Sequence, residues 1–265
     1  MTRAVVCVAT TPHYQKGMRR LAHHGDVMRA HRVVTFPELP AGWPSHQDKP
    51  YAFKAYALKA AVDAGAELVL WADAAILPIR SMEPLWEKIE REGAWIHNGG
   101  WLNHQWTADE AYPDLFNVEY AEDADNGLDP EFQNRRMNRT IPHVVATTFG
   151  LNVKHPVGAQ ILAEYYRLAS ETRAFCGPWW NSNGEREDYR QHRGAAPCGP
   201  PSTLGHRHDQ TALSVIAWRL GVKLTEGAEL FDYSKRRPDG YLYLQDQDQR
   251  TILLADGSMQ DGVIA

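Results

Sequence analysis

Residues 51–76 read YAFKAYALKAAVDAGAELVLWADAAI, and this stretch decides the fold. Its first part is rich in alanine, the best helix former, and its apolar residues recur at helical spacing, which predicts a helix over residues 51–64. Gly65 is a typical end for that helix. The run LVLW at 68–71 is continuously apolar, as expected of a central strand that is buried on both faces. A helix that leads directly into a buried strand indicates a layered α/β protein.

The same alternation continues on both sides of this stretch. Further apolar, β-rich runs predict strands at 4–9, 31–36, 94–96 and 143–153, and helical patterns lie at 14–28, 84–91, 156–169 and 209–220. Strands that alternate with helices predict a mostly parallel central sheet with helices on both faces. Near the end of the chain, YLYLQ at 241–245 and TILLA at 251–255 predict two strands that flank a polar turn.

Two long segments interrupt this pattern and predict loop insertions. Residues 109–131 hold nine Asp or Glu and no Lys or Arg, and residues 176–205 are rich in Gly, Pro and polar side chains. The acidic segment is either a solvated loop or a lid over a site, since long structureless loops are uncommon unless they are functional. We expect a single domain with a first half at about 1–100, an insertion at about 101–140 and a second half at about 141–265.

Composition places the chain among globular proteins. Of its 265 residues 43% are hydrophobic and 9 are Trp, enough to fill a sizeable core and to exclude global disorder. No apolar run approaches the roughly 20 residues that a membrane span needs, and the N-terminus lacks a secretory cleavage site, so we expect a cytoplasmic protein. The net charge of -5 argues against a protein that coats nucleic acid or anionic membrane. Three cysteines without CxxC spacing favour neither a disulfide framework nor a cysteine zinc site.

Polar residues at the ends of predicted strands are the first candidates for a ligand site, because ligands of open parallel sheets bind beyond the carboxyl ends of the strands. Thr10 and Thr11 follow the first strand, and Asp73 follows the most apolar one. A carboxylate in that place is suited to hold a divalent cation, but Asp also caps turns at such junctions. Lys54, on the preceding helix, either reaches a diphosphate or only solubilises the face of its helix.

A second group of candidates lies in GHRHDQTALS at 205–214, where polar residues crowd the start of a predicted helix. The positive end of a helix dipole favours a carboxylate such as Asp209. Imidazole and carboxylate are both metal ligands and bases near neutral pH, so His206, His208 and Asp209 are candidates for metal binding or proton transfer. The simpler interpretation is that Asp209 caps the helix and that the histidines are loop residues.

Weaker candidates are scattered through the predicted loops. Trp179 and Trp180 either form a stacking wall for a sugar or a base, or anchor their loop to the core. A set of basic residues is able to bind a polyanion, although such residues more often form surface pairs of little energetic value. The set comprises Arg135, Arg136, Arg139, Lys235, Arg236 and Arg237.

The order of these parts resembles the nucleotide-sugar glycosyltransferases of the GT-A fold, especially small bacterial and viral members. The motifs that carry the resemblance are confined to residues 51–76, 146–153 and 205–214. In outline the resemblance covers about residues 4–225. It implies a donor-binding first half and a second half that binds the acceptor and holds the catalytic residue.

The resemblance also implies a metal site. In that family an Asp-x-Asp motif binds Mn²⁺ or Mg²⁺, which bridges the diphosphate of the donor. Asp73 matches the first Asp of the motif, whereas Ala75 stands in place of the second. One direct ligand remains, so the implied site requires a histidine, His206 or His208, to complete it.

The remaining roles follow from the same resemblance. A carboxylate near the start of a late helix is the catalytic base in inverting members, which implies that role for Asp209. Thr10 and Thr11 would contact the nucleoside of the donor, and Lys54 and Gln210 would also belong to the donor site. Retaining chemistry needs no such base and stays open.

The expected function is therefore transfer of a sugar from a nucleotide-sugar, with a UDP-sugar favoured, to a hydroxyl acceptor. The acceptor is a saccharide, a small molecule, a protein, or a hydroxymethylated base in viral DNA, which would have to be flipped out of the duplex. Two alternatives stay open. One is a non-catalytic protein of the same fold that binds a ligand or partner, for which Ala75 is the best argument. The other is a metal-dependent hydrolase built on the histidines, whose spacing fits no common zinc pattern.

Overall fold

The structure, a computed structural model, describes residues 1–108, 111–116, 138–176 and 205–227, together with four short strands beyond them. Most of the acidic segment 109–131 lies outside the described residues. So do Trp179, Trp180 and all of the basic set except Arg139.

Five strands form the central sheet in the order β2-β1-β3-β6-β5. The strands of the chain are β1 (Arg3–Val8), β2 (Arg32–Phe36), β3 (Leu68–Ala72), β4 (Leu77–Pro78), β5 (Ala94–Leu102), β6 (Pro142–Asn152), β7 (Phe231–Asp232), β8 (Leu242–Tyr243), β9 (Thr251–Leu253) and β10 (Met259–Asp261). β1 pairs in parallel with β2 and β3, whereas β6 runs antiparallel to its neighbours β3 and β5. Four of the five strands thus point the same way, and the predicted mostly parallel sheet is confirmed.

Helices cover both faces of this sheet. They are α1 (Pro12–His23), α2 (Phe53–Asp63), α3 (Glu83–Glu92), α4 (Tyr112–Leu115), α5 (Pro156–Glu171) and α6 (His208–Arg219). Successive strand residues point to opposite faces: Leu70 joins the core cluster beneath α1 and α3, and Trp71 joins the one beneath α2, α5 and α6. The predicted helices on both faces are therefore confirmed. No helix in the described part of the chain is long and apolar enough to cross a membrane.

The predicted insertion at 101–140 is partly regular structure. β5 does not end at residue 96 but continues to Leu102 through two irregularities in its pairing with β6. Gly99 permits this course, because a Cβ there would lie 2.7 Å from the carbonyl oxygen of His143. A short 3₁₀ helix, Asn103–Trp106, follows directly, and its Trp106 side chain is fully buried. The Gly-Gly pair that resembles a loop in sequence thus marks a bulge within a strand.

The direction of β6 places its first residues at the end of the sheet where the four parallel strands finish. Because β6 runs against β3 and β5, its start at Pro142 lies beside the carboxyl end of β5 at Leu102. The amide of Asp73, just past the end of β3, donates to the carbonyl oxygen of Thr147 at 2.9 Å. We call this end of the sheet the carboxyl edge.

Candidate active site at the carboxyl edge of the sheet

A pocket of about 130 Å³ opens at the carboxyl edge. Its lining residues are Tyr51, Lys54, Asp73, Ala146, Thr147, Arg207, His208, Asp209 and Gln210. Five of the residues predicted for the site are thus brought together from α2, the end of β3 and the start of α6. Thr10, Thr11 and His206 are not among the lining residues.

Lys54 is the centre of the pocket. Its ammonium lies 2.9 Å from Oδ2 of Asp209 and 3.2 Å from Oδ1 of Asp73, and it donates to the carbonyl oxygen of Ala146 at 2.8 Å. The side chain is only 3% exposed. Burial by itself lowers the pKa of Lys54, but the charges of Asp209 and Asp73 outweigh it and hold the pKa above its ordinary value. Lys54 is therefore a buried cation held between two carboxylates and a backbone carbonyl oxygen.

The two carboxylates beside Lys54 differ in exposure. Asp209 is 4% exposed, and burial raises its pKa even though Lys54 acts in the opposite direction. Asp73 is 33% exposed, and its Oδ1 accepts a hydrogen bond from the indole nitrogen of Trp71 at 2.7 Å. The buried carboxylate binds a proton more tightly than an ordinary aspartate, while the more exposed one is held at its Oδ1 by the Trp71 indole.

Hydrogen bonds to the neighbouring elements set the position of α6. The hydroxyl of Thr211 donates to the carbonyl oxygen of Trp106 at 2.6 Å, and the amide of Arg207 donates to the same oxygen at 3.1 Å. The side chain of Gln210 donates to the carbonyl oxygen of Val144 in β6 at 3.1 Å. The first turn of α6 is thereby held against the 3₁₀ helix and β6, which places Asp209 opposite Lys54.

Four lining residues were not predicted for the site, namely Tyr51, Ala146, Thr147 and Arg207, and two of these contact the aromatic or charged groups around Lys54 and Trp106. Arg207 is half-buried, and the centre of its guanidinium lies 4.4 Å from the centroid of the Trp106 ring, a cation–π contact. Tyr51 has φ +61°, its ring centroid lies 5.1 Å from Nζ of Lys54, and burial raises its pKa to about 12. In the sequence Arg207 lies within the polar run at the start of α6. This run predicts that Arg207 is near the candidate site, but it does not indicate what the side chain does there. Tyr51 shows no signal beyond being the first residue of the helical pattern.

The two histidines predicted as metal ligands form hydrogen bonds with backbone groups. Nδ1 of His206 accepts from the amide of Ala108 at 3.2 Å, and its Nε2 donates to the carbonyl oxygen of Ala174 at 3.1 Å. Nδ1 of His208 donates to the carbonyl oxygen of Phe175 at 2.9 Å. Burial lowers the pKa of His208 to about 4 and that of His206 well below its ordinary value, so both rings are neutral near pH 7. These hydrogen bonds connect residues that precede the segment 177–204 with residues that follow it.

The described residues do not fit a divalent cation. In the ranges that the structure describes, no group of three or more His, Cys, Asp or Glu residues is arranged to hold a metal ion. Asp73 and Asp209 already share the ammonium of Lys54, and His206 uses both ring nitrogens on backbone groups. The metal site implied by the resemblance is not formed by these residues.

The two threonines after β1 lie on the surface. Thr10 and Thr11 are exposed, and the hydroxyl of Thr11 accepts from the amide of Tyr14 at 3.5 Å as the N-cap of α1. A cap satisfies one of the unpaired amides at a helix start, so Thr11 has a structural role. Their contact with a nucleoside remains a prediction.

A second depression lies between α5 and α6 and holds none of the candidate residues. It is an open groove of about 460 Å³ whose charged lining residues are Glu164, Arg167 and Arg219. Glu164 pairs with Arg167 at 2.7 Å and with Arg219 at 3.6 Å. Such surface pairs contribute little energetically, and the one carboxylate that lines the groove, Glu164, is paired with the two arginines.

Among known proteins, the chain is similar to several solved structures. No family model and no curated protein matches the chain. A glycosyltransferase involved in the glycosylation of the major capsid of PBCV-1 is 9% identical, with a TM-score of 0.46 over 94% of this chain and 98% of that one. Mouse xyloside xylosyltransferase 1 is 11% identical, with a TM-score of 0.43 over 92% and 97% of the two chains. The galactosyltransferase LgtC is 9% identical, with a TM-score of 0.40 over 91% and 86%. These solved structures, to which the chain is similar, are glycosyltransferases.

Proposed function

We propose that this protein transfers a sugar from a nucleotide-sugar donor to a hydroxyl acceptor, in the pocket around Lys54. The observation that carries the proposal is the arrangement of Asp73 and Asp209, a half-exposed and a buried carboxylate that share one buried ammonium. They lie at the carboxyl edge, where open α/β sheets bind their ligands.

Asp209 is suited to act as the general base of an inverting transfer. Its carboxylate takes the proton of the acceptor hydroxyl while that oxygen attacks the anomeric carbon, and the bond from this carbon to the diphosphate oxygen breaks on the opposite side. Burial raises the pKa of Asp209 and makes it the stronger base, while the adjacent Lys54 acts in the opposite direction and favours the ionised form.

Asp73 is suited to orient the donor. It is the more exposed carboxylate, and the Trp71 indole holds its Oδ1 in one position. A carboxylate oxygen accepts hydrogen bonds from sugar hydroxyls, and a fixed acceptor places the sugar with little loss of side-chain freedom. This role requires no second carboxylate at Ala75.

A non-catalytic binding protein is the second candidate function. It is favoured by the burial of the Lys54 ammonium beside two carboxylates and a carbonyl oxygen, which is also the arrangement of a purely structural ion pair. The two candidates differ in what Asp209 does: a transferase needs its carboxylate for turnover, whereas a binding protein needs it only for stability.

The first experiment is a thermal-shift panel of UDP-, GDP-, CMP- and dTDP-sugars, because a ligand that binds the native state raises its melting temperature. We expect one donor, a UDP-sugar, to stabilise the protein. No shift with any donor would contradict the proposal.

The second experiment measures product formation with the donor found. Saccharides, small hydroxyl compounds and hydroxymethylated DNA serve as acceptors, and loss of activity on DNA at raised salt would distinguish a DNA acceptor. Asp209→Asn should lower turnover by about 10²- to 10⁴-fold, the usual contribution of a general base. Asp63→Asn, an exposed aspartate of α2, is the control. Donor binding without product on any acceptor would favour the binding protein.

A further inference from the structure

We propose that the ammonium of Lys54 occupies the position beside the Asp73 carboxylate where a divalent cation would otherwise bind. We further propose that Arg207 neutralises the diphosphate of the donor without a divalent ion. The second half of this proposal rests on the proposed function, since it names how the donor is held. The first half concerns the protein alone.

The first step of the argument is the environment of the Asp73 carboxylate. Its Oδ1 lies 3.2 Å from Nζ of Lys54 and accepts the Trp71 indole proton at 2.7 Å. A divalent cation binds carboxylate oxygens at about 2.0 to 2.6 Å, so an ion on this oxygen would lie within a few ångströms of the ammonium. Two like charges so close together repel strongly in a partly buried site.

The second step is that Lys54 is fixed in place. Its side chain is 3% exposed, and withdrawal of its ammonium would leave the 4% exposed carboxylate of Asp209 without a counter-charge. An unpaired buried charge is costly, so a metal ion has to displace a cation that the fold itself requires. Ala75, in place of a second carboxylate, removes the ligand that would compensate for the displacement.

The third step is the position of Arg207. It lines the same pocket, immediately before the first turn of α6, and its guanidinium lies over the face of the buried Trp106 ring at 4.4 Å. Stacking on a buried ring limits the conformations of a long side chain and so reduces the entropy lost on binding. A guanidinium offers paired N–H groups that match phosphate oxygens. The adjacent N-terminal end of α6 carries the positive end of the helix dipole and also favours a negatively charged phosphate.

A manganese titration tests the first half of the proposal without any enzymatic assay. The electron paramagnetic resonance signal of free Mn²⁺ is followed as protein is added. We expect the signal of free Mn²⁺ to stay unchanged when the wild type is added. We expect Lys54→Ala to bind Mn²⁺, because this variant leaves the carboxylates of Asp73 and Asp209 without the ammonium between them. Saturable binding to the wild type that Asp73→Asn abolishes would overturn the inference. If Lys54→Ala fails to fold, the wild-type and Asp73→Asn titrations decide alone.

Calorimetry with UDP, GDP and dTDP in the presence of a chelator tests the second half. We expect one of them to bind, and Arg207→Ala to weaken it by about 10- to 100-fold, the cost of one charged hydrogen-bonding group. Arg207→Lys should recover part of the loss, because it keeps the charge but not the paired donors. Arg219→Ala, at the other end of α6, is the matched control and should bind as the wild type does.

The outcomes separate this inference from the proposed function. A diphosphate that binds only when manganese is present, or that binds Arg207→Ala as tightly as the wild type, overturns the inference and leaves the transferase proposal standing. If none of the three binds the wild type under any condition, the role of Arg207 falls, and the transferase proposal falls with it unless the CMP-sugar stabilises the protein in the thermal-shift panel. The manganese titration then still decides whether Lys54 occupies the position beside Asp73.

Discussion

Lys54 of α2 and Asp209 of α6 form a buried ion pair, with 2.9 Å between Nζ and Oδ2 and no more than 4% of either side chain exposed. The pair joins two helices that are far apart in sequence, and it also fixes the first turn of α6 at the carboxyl edge. A buried pair adds little net stability compared with apolar residues, but loss of one partner leaves the other charge unpaired.

We therefore expect Lys54→Met to lower the free energy of unfolding by about 3 to 5 kcal/mol. Lys59→Met is the matched control, because Lys59 belongs to the same helix and pairs with Asp63 on its exposed side at 2.7 Å. The control should cost about 0.5 kcal/mol or less. Urea denaturation measures both. Equal losses in the two variants would show that burial of the Lys54 pair has no energetic consequence.

The double variant Lys54→Met with Asp209→Asn tests the coupling. Since it removes both charges at once, it should be more stable than Lys54→Met alone. A double variant whose loss equals the sum of the single losses would contradict a direct interaction between the two side chains.

A second prediction concerns the indole donor to Asp73. Trp71→Phe removes the hydrogen bond from the Trp71 indole to Oδ1 of Asp73. The control is Trp95→Phe, since Trp95 is equally buried and its indole nitrogen has no hydrogen-bond partner among the residues that the structure describes. We expect Trp71→Phe to cost about 1.5 to 3 kcal/mol more than the control, the range for a hydrogen bond to a charged group. Denaturation of both variants measures the difference, and no difference would argue against a fixed Asp73 carboxylate.

A third prediction concerns pH. Burial lowers the pKa of His143 to about 3 and that of His208 to about 4, and it holds the pKa of His206 well below its ordinary value. The unfolded chain takes up these protons near pH 6.5, so between about pH 6.5 and 4 it binds more protons than the native state does. The free energy of unfolding should fall through this window by up to about 1.4 kcal/mol per pH unit for each histidine.

Urea denaturation at a series of pH values measures this slope. Asp209 acts in the opposite sense, because its raised pKa makes the native state bind a proton more tightly than the unfolded state does. His208→Gln should reduce the slope by about the share of one histidine. An unchanged slope in this variant would contradict a neutral, buried His208.

A fourth prediction concerns the start of α5. A Cβ at Gly158 would collide with the carbonyl oxygens of Asn152 and Gly93, both of them backbone atoms. Gly158→Ala should therefore separate the helix from the end of β6 and cost about 2 kcal/mol or more. Ala159→Ser, at the exposed neighbouring position, should change the stability by about 0.5 kcal/mol or less. Thermal denaturation compares the two, and equal melting temperatures would contradict the close approach.

The sequence was sufficient to predict most of the fold and part of the site. The apolar run at 68–71 predicted a buried strand, and the return of polarity at Asp73 predicted its end. Both features are visible in a short stretch of sequence. That Asp209 lies near a helix start was predictable for the same reason. The pairing of Asp209 with Lys54 was not, since it depends on how α2 and α6 pack across the sheet.

The errors have a common physical origin in backbone contacts. The type of a side chain does not reveal whether backbone groups already occupy its polar atoms, as they do for both ring nitrogens of His206. In the same way, the glycines at 99 and 100 resemble a loop until the approach of the His143 carbonyl shows that they form a bulge. Pairing between distant backbone segments leaves no local pattern in the sequence.

The antiparallel course of β6 bears on how such a chain is able to diversify. The segment 109–137 leaves from the 3₁₀ helix after β5 and returns just before β6, and the segment 177–204 begins and ends where His206 and His208 bind the carbonyls of Ala174 and Phe175. Residues that flank both segments thus lie near the first turn of α6. The five strands of the central sheet all lie outside the two segments, so a change in the length of either segment leaves the strand register intact. We therefore expect homologous chains to differ in length at these two segments more than within the central sheet.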